Sequence, residues 1–197
     1  VLLALVLSPV LGFVVGYTVH KLSHLLTRAA HPRINQKLRL AQYVTTAALA
    51  FSHGANDAQK SMGVLTLVLV LGGFIPHFEV PFWVMLACAT AITAGILSGG
   101  WRIVRTLGFA VFKVRPLHAL DSQLTSGLVI LSASMMGAPV STSHVVATSI
   151  MGIGASERPH RVHWGKAGEI ATTWLITLPA SAAMGALVLL ALRPWVV

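Results

Sequence analysis

Asp57 lies inside an apolar run, within the stretch FSHGANDAQKSMG (Phe51–Gly63), which also carries His53, Asn56 and Lys60. A carboxylate at membrane depth costs about 3 kcal/mol and marks a functional site by default. The other acidic residues, Glu79, Asp121, Glu157 and Glu169, fall in predicted loops or at span ends, where solvated surface charge is the expected role. Asp57 and Lys60 are three apart, so on a helix they share a face and neutralise each other. That structural role is compatible with a functional one. A second constellation is GAPVSTSH (Gly137–His144), in which Ser141, Thr142 and Ser143 follow a glycine and a proline. Hydroxyls beside the free N–H groups of a helix start suit an oxyanion of the phosphate or sulfate type. A helix cap alone needs one hydroxyl, and this segment has three in a row.

His53 and His144 each stand beside a predicted helix break. With Asp57 they raise the idea of a metal centre and hence an intramembrane metal-dependent phosphatase. No metal-ligand spacing supports it, and no metal is expected. A proton relay is the better functional role for these histidines. The run GANDAQKS matches a nucleotide-binding P-loop except that Gln59 replaces the second glycine. The strand such a loop needs is missing, so nucleotide hydrolysis is excluded. An anion channel using the hydroxyl-rich tip as a filter is a further alternative, which an aspartate in the path disfavours.

The elements that must position these residues are helices in a membrane. The chain has 197 residues, of which 55% are hydrophobic and only 10% charged, with mean hydropathy +0.79. Long apolar runs recur, while the alternation of a β-barrel is absent, so the fold class is all-α polytopic membrane protein. The net charge of +9 is concentrated between apolar runs, as membrane topology requires, rather than on a soluble nucleic-acid-binding face. No nucleic-acid partner is expected. The single cysteine, Cys88, reads as a small packing residue. Val1 begins within an apolar run without a charged leader, which reads as a fragment rather than a cleaved signal. The whole chain, 1–197, is taken as a single transmembrane domain. Trp83, Trp101, Trp164, Trp174 and Trp195 fall near span ends as interface aromatics. Histidines 20, 24, 31, 160 and 163 fall in or near the basic loops, where interface roles are expected. Thr177 and Pro179 in the last span read as ordinary helix packing.

Basic loops at 21–39 (with Arg28 and Arg33), 101–121 (with Arg102) and 156–166 are expected on the cytoplasmic side, and 72–81 outside. Segment 122–154 therefore starts and ends on one side. Two half-length helices, about 126–137 and 142–153, satisfy this as a re-entrant hairpin with Gly137–His144 at the tip. Each half is roughly 18 Å long against a hydrocarbon core of about 30 Å. The run from Leu40 to Gly72 is too long for one span at roughly 48 Å, which predicts a broken helix near Ser52–Asp57 with Gly54 and Asn56 in an unwound turn.

The motifs SHGANDAQKSMG and GAPVSTSHVVATSIMGIG together resemble the inorganic phosphate transporter (PiT) family, and the resemblance runs over nearly the whole chain. That family has two related halves, each with a G-x-N-D motif and a Pro-x-Ser-Thr tip, and this chain is similar to the C-terminal half. The resemblance implies one half of an inverted-repeat transporter, a multi-pass protein of the cell membrane and not an enzyme. It implies symport of inorganic phosphate, alone or as a metal-phosphate, driven by H⁺ or Na⁺, with no cofactor besides the coupling ion. Asn56 and Asp57 would line the ion and phosphate site, and Ser141, Thr142 and Ser143 would hold phosphate. Lys60 stands where many family motifs have Asn. An ammonium beside Asp57 disfavours a second bound cation there and points to H⁺ or metal-phosphate coupling. The missing half is expected from a longer polypeptide or a partner subunit, and a homodimer is also admitted.

Overall fold

The computed structural model describes residues 2–28 and 34–196. The expectations at His31 and Arg33, and those for the side chains of Arg102 and Trp195, lie outside the described residues. Among the described residues every regular element is a helix. The order is α1 (Leu2–Thr27), α2 (Ile34–Leu71), α3 (Phe82–Arg105), α4 (Pro116–Met135), α5 (Thr142–Glu157) and α6 (Trp164–Val196). A π-helical turn, Thr106–Val111, extends α3, and a 3-10 turn, Pro159–Arg161, follows α5. Three segments are long and apolar enough to cross a membrane: Leu3–Thr27, Phe82–Trp101 and Trp164–Ala191. Large apolar side chains on all three are exposed, among them Val10, Leu97 and Leu189, as suits a helix that meets lipid.

The chain forms two units, the second beginning at His163 and consisting of α6. Within α6, Thr172, Thr173 and Thr177 each donate to the carbonyl four residues back. The helix continues through Pro179.

In the first unit α1 packs on α5, and α2 packs on α4. The α1–α5 approach is close because glycines meet there. A Cβ on Gly152 would lie 2.2 Å from the Phe13 carbonyl, and one on Gly16 would lie 2.7 Å from the Ser149 carbonyl. The Gly12–Gly16 spacing is the small-residue pattern by which membrane helices approach. The α4–α5 seam is polar: the Ser149 hydroxyl lies 2.8 Å from that of Ser122 and 3.1 Å from that of Ser126. Ile130, Val145 and Ile153 are among the buried apolar side chains that pack around it. Gln42 Nε2 donates to the Pro116 carbonyl at 2.7 Å, and Thr45 Oγ1 donates to Gln123 Oε1 at 2.5 Å, tying α2 to α4.

Three expectations are corrected here. The break predicted near Ser52–Asp57 does not occur, because α2 is continuous from Ile34 to Leu71. Its polar residues satisfy one another only if the helix persists. His53 reaches Asp57 at i,i+4 and Lys60 reaches Asp57 at i,i+3, while Ser52 and Ser61 donate to the Ala48 and Asp57 carbonyls four back. The hairpin arms are longer than half-length pieces, with 20 residues in α4 and 16 in α5. The first arm begins at Pro116, where the fixed φ of proline suits a first helical turn. Finally, Asp121 and His20 are not at an aqueous surface: their residue exposures are 0% and 1%.

Candidate functional site: a polar centre between α2 and the hairpin tip

The tip between α4 and α5 is built by local chemistry. Gly137 adopts φ +68°, the left-handed conformation that ends a helix. Its N–H reaches the Ser134 carbonyl at 3.1 Å, and the Ala138 N–H reaches the Ala133 carbonyl at 2.8 Å. Pro139 then prevents the helix from resuming at once. Ser141 caps α5, its Oγ accepting the His144 N–H at 3.4 Å. The first turn of α5 contains no acidic residue, so its free N–H groups keep their positive character toward an anion.

The middle of α2 docks on this tip. Asn56, which is 2% exposed, donates from Nδ2 to the Val140 carbonyl at 3.1 Å. Lys60 Nζ donates to the same carbonyl. Asp57 gathers four donors. Lys60 Nζ lies 3.4 Å from Oδ1, Asn56 Nδ2 3.3 Å from Oδ1, His53 Nε2 3.2 Å from Oδ2 and Thr142 Oγ1 3.3 Å from Oδ2. The Thr142 contact spans 85 residues of sequence. Neither Asp57, at 32% side-chain exposure, nor Lys60, at 34%, is sealed off. The site thus has acceptors and donors on one open surface. A carboxylate that already binds donors can bind a cation or proton, and a helix start with hydroxyls can bind an oxyanion.

Asp57, Asn56, Lys60, His53 and Thr142 are therefore brought together. Ser141 stands at the tip in its capping role. Ser143 is exposed on the first turn of α5. His144 lies against the Leu5 backbone of α1. Two participants were missed in the sequence. The Val140 carbonyl serves both Asn56 and Lys60, and Ser134 Oγ donates to Gln59 Oε1 at 2.9 Å, adding a second tie from α4 to α2. The signal for Val140 was its place between Pro139 and a helix cap, where a carbonyl has no helical partner. A separate open cavity of about 760 Å³ between α2 and the α4 start is lined by Arg39, Tyr43, Thr46 and Arg115 and includes none of the Asp57 group.

Fold and site together define an all-α, multi-pass membrane protein whose polar centre is held between a long helix and a helical hairpin. The phosphate transporter family matches residues 1–185, and the chain belongs to that family. A probable low-affinity inorganic phosphate transporter of Bacillus subtilis (strain 168) is 40% identical over 186 residues, 93% of this chain and 56% of that protein. One of Rhizobium meliloti (strain 1021) is 39% identical over the same shares of each chain. One of Mycobacterium leprae (strain TN) is 35% identical over 94% of this chain and 46% of its own length. The chain thus spans about half the length of the curated relatives it matches. No solved structure matches it.

Proposed function

We propose that this chain forms one half of a secondary transporter that moves inorganic phosphate across the membrane, with its substrate site where α2 meets the hairpin tip. The observation that carries the reading is the contact of Thr142 Oγ1 with Asp57 Oδ2 at 3.3 Å. It joins the carboxylate that would take the coupling cation to the helix start that would take the anion. In broken-helix transporters the same two parts, a helix N-terminus and polar groups at membrane depth, hold substrate and ion. Here the carboxylate sits on an unbroken helix and only the anion side uses a helix start. The names of the relatives support phosphate as the anion. The hairpin would then be re-entrant, with its tip near mid-bilayer. Lys60 supports H⁺ or metal-phosphate coupling, since its ammonium occupies the Oδ1 side of Asp57 and repels a sodium ion from it.

The test is uptake of labelled phosphate by vesicles containing the protein together with its completing half. Uptake is expected to persist without Na⁺ and to follow the imposed pH gradient. Strict Na⁺ dependence overturns the coupling proposal, and absence of phosphate uptake overturns the transport reading.

A further inference from the structure

At the other end of α5, about 22 Å from the Asp57 site at 1.5 Å per residue, a second set of ionisable side chains converges. His20 comes from α1, His118 and Asp121 from α4, and Glu157 from the last turn of α5. His20 Nδ1 bonds Asp121 Oδ2 at 2.6 Å, and both residues are fully enclosed. The opposite ring atom, His20 Nε2, is buried without a partner, as is Asp121 Oδ1. A neutral His20 leaves an orphan acceptor at Nε2, and a protonated one leaves an orphan donor. Both states carry the penalty of an unsatisfied buried group. His118 Nε2 lies 2.8 Å from Glu157 Oε2, and the His20 and His118 rings stand edge to face with centroids 5.0 Å apart. Ligand atoms of His20, His118 and Glu157 all fall within 4.8 Å of one another.

We propose that His20, His118 and Glu157 form a binding site for a divalent transition metal of the Zn²⁺ type. Two imidazole nitrogens and one carboxylate oxygen are a zinc donor set, and a water completes the tetrahedron. Asp121 fixes the tautomer: by accepting from Nδ1–H it leaves Nε2 with the free lone pair, as carboxylates do for zinc-bound histidines. A dication also supplies charge that this end lacks. Asp121 is fully buried with a histidine as its hydrogen-bonding partner, and besides His118 Glu157 meets Arg115 at 3.4 Å, whose side chain is largely exposed. The ion requires modest rearrangement. Ligand atoms around a tetrahedral zinc are about 3.3 Å apart, so His118 and Glu157 part slightly while His20 moves in. His118 must also carry its remaining proton on Nδ1, which gives up the Arg115 N–H contact of 3.1 Å at the start of α4. Glu157, at 17% side-chain exposure, provides the route of access. The bound ion would staple α1 to the base of the hairpin.

The experiment is metal binding by the purified protein in detergent. Zn²⁺ is titrated against a chromophoric chelator, and Co²⁺ absorption serves as a geometric readout. One tight Zn²⁺ per chain is expected, with tetrahedral Co²⁺ bands and a Zn²⁺-dependent rise in Tm. Glu157→Gln and His20→Gln should abolish tight binding, and Asp121→Asn should weaken it roughly 10- to 100-fold. His24→Gln, which alters an exposed neighbour whose ring lies 6.2 Å from that of His20, should change nothing. Substoichiometric Zn²⁺, or equal binding by His20→Gln, overturns the site. Should His20→Gln fail to fold, the wild-type Co²⁺ spectrum decides, since a purely octahedral spectrum excludes the proposed ligands.

Discussion

The two ends of α5 hold carboxylates under opposite conditions. Asp57, beside the first turn of α5, is about one-third exposed and engages Lys60, Asn56, His53 and Thr142. Asp121, near the base, has 0% exposure, with His20 at its Oδ2 and nothing at its Oδ1. An open carboxylate with several exchangeable donors loses little when one is replaced by an ion or substrate. A sealed carboxylate with one partner loses much when that partner goes, because its charge stays behind without solvent. The first arrangement suits turnover, and the second suits permanence. The same residue type therefore predicts different consequences at the two ends, in activity at one and in stability at the other.

The largest expected effect is at the sealed end. Asp121→Ala removes the partner of a fully buried histidine, and loss of one member of such a pair costs about 3–5 kcal/mol. Thermal unfolding in detergent should register it as a much lower Tm. An unchanged Tm would abolish the contrast, since Asp121 would then behave like the open carboxylate. Next comes Asp57→Asn, which keeps the shape and removes the charge. Phosphate uptake should fall roughly 100-fold, equivalent to about 2.7 kcal/mol, while membrane insertion and Tm stay close to wild type. Wild-type uptake by this variant would refute the role given to Asp57. Thr142→Val is smaller again. It deletes one hydroxyl contact to Asp57, and a hydrogen bond to a charged group is worth about 1.5–3 kcal/mol before solvent at an open site is counted. Uptake should fall about tenfold, with Tm lowered only slightly.

The contrast also explains what the sequence could reveal. The hairpin tip was legible because Gly137, Pro139 and Ser141 act locally: a left-handed stop, a block on helix continuation and a cap. The all-helical membrane class was legible from the length and apolarity of α1, α3 and α6. The break expected in α2 rests on the length of the run and on Gly54 and Asn56, and the continuous helix shows that side-chain spacing outweighs both. His53, Asp57 and Lys60 stand four and three apart, and those intervals bring side chains together only on an intact helix. Asp121 was misjudged for a different reason. Its partner His20 is 101 residues away, and no local pattern announces that two residues beside basic segments will bury each other. The glycine pair Gly12 and Gly16 carried a readable signal for the close α1–α5 approach, which their neighbours' hydrophobicity masked.

The finest division lies within the open site itself, between Thr142 and Ser143. Thr142 is 4% exposed and points its hydroxyl at Asp57, whereas Ser143 is exposed. A hydroxyl already bonded within the protein contributes to holding the tip against α2. An exposed hydroxyl contributes nothing to that, so Ser143→Ala should shift stability by less than about 0.5 kcal/mol. Under the proposed function it is the hydroxyl left to meet an oxyanion at the start of α5, where N–H groups and the helix dipole favour negative charge. Its removal should therefore raise the KM for phosphate severalfold while leaving the maximal rate and Tm unchanged. Thr142→Val, by contrast, should lower the maximal rate, because the contact it breaks orders the carboxylate. Measuring KM and maximal rate separately for the two variants distinguishes a residue that meets substrate from one that positions Asp57. Identical kinetic signatures would remove that distinction and place both hydroxyls in the same role.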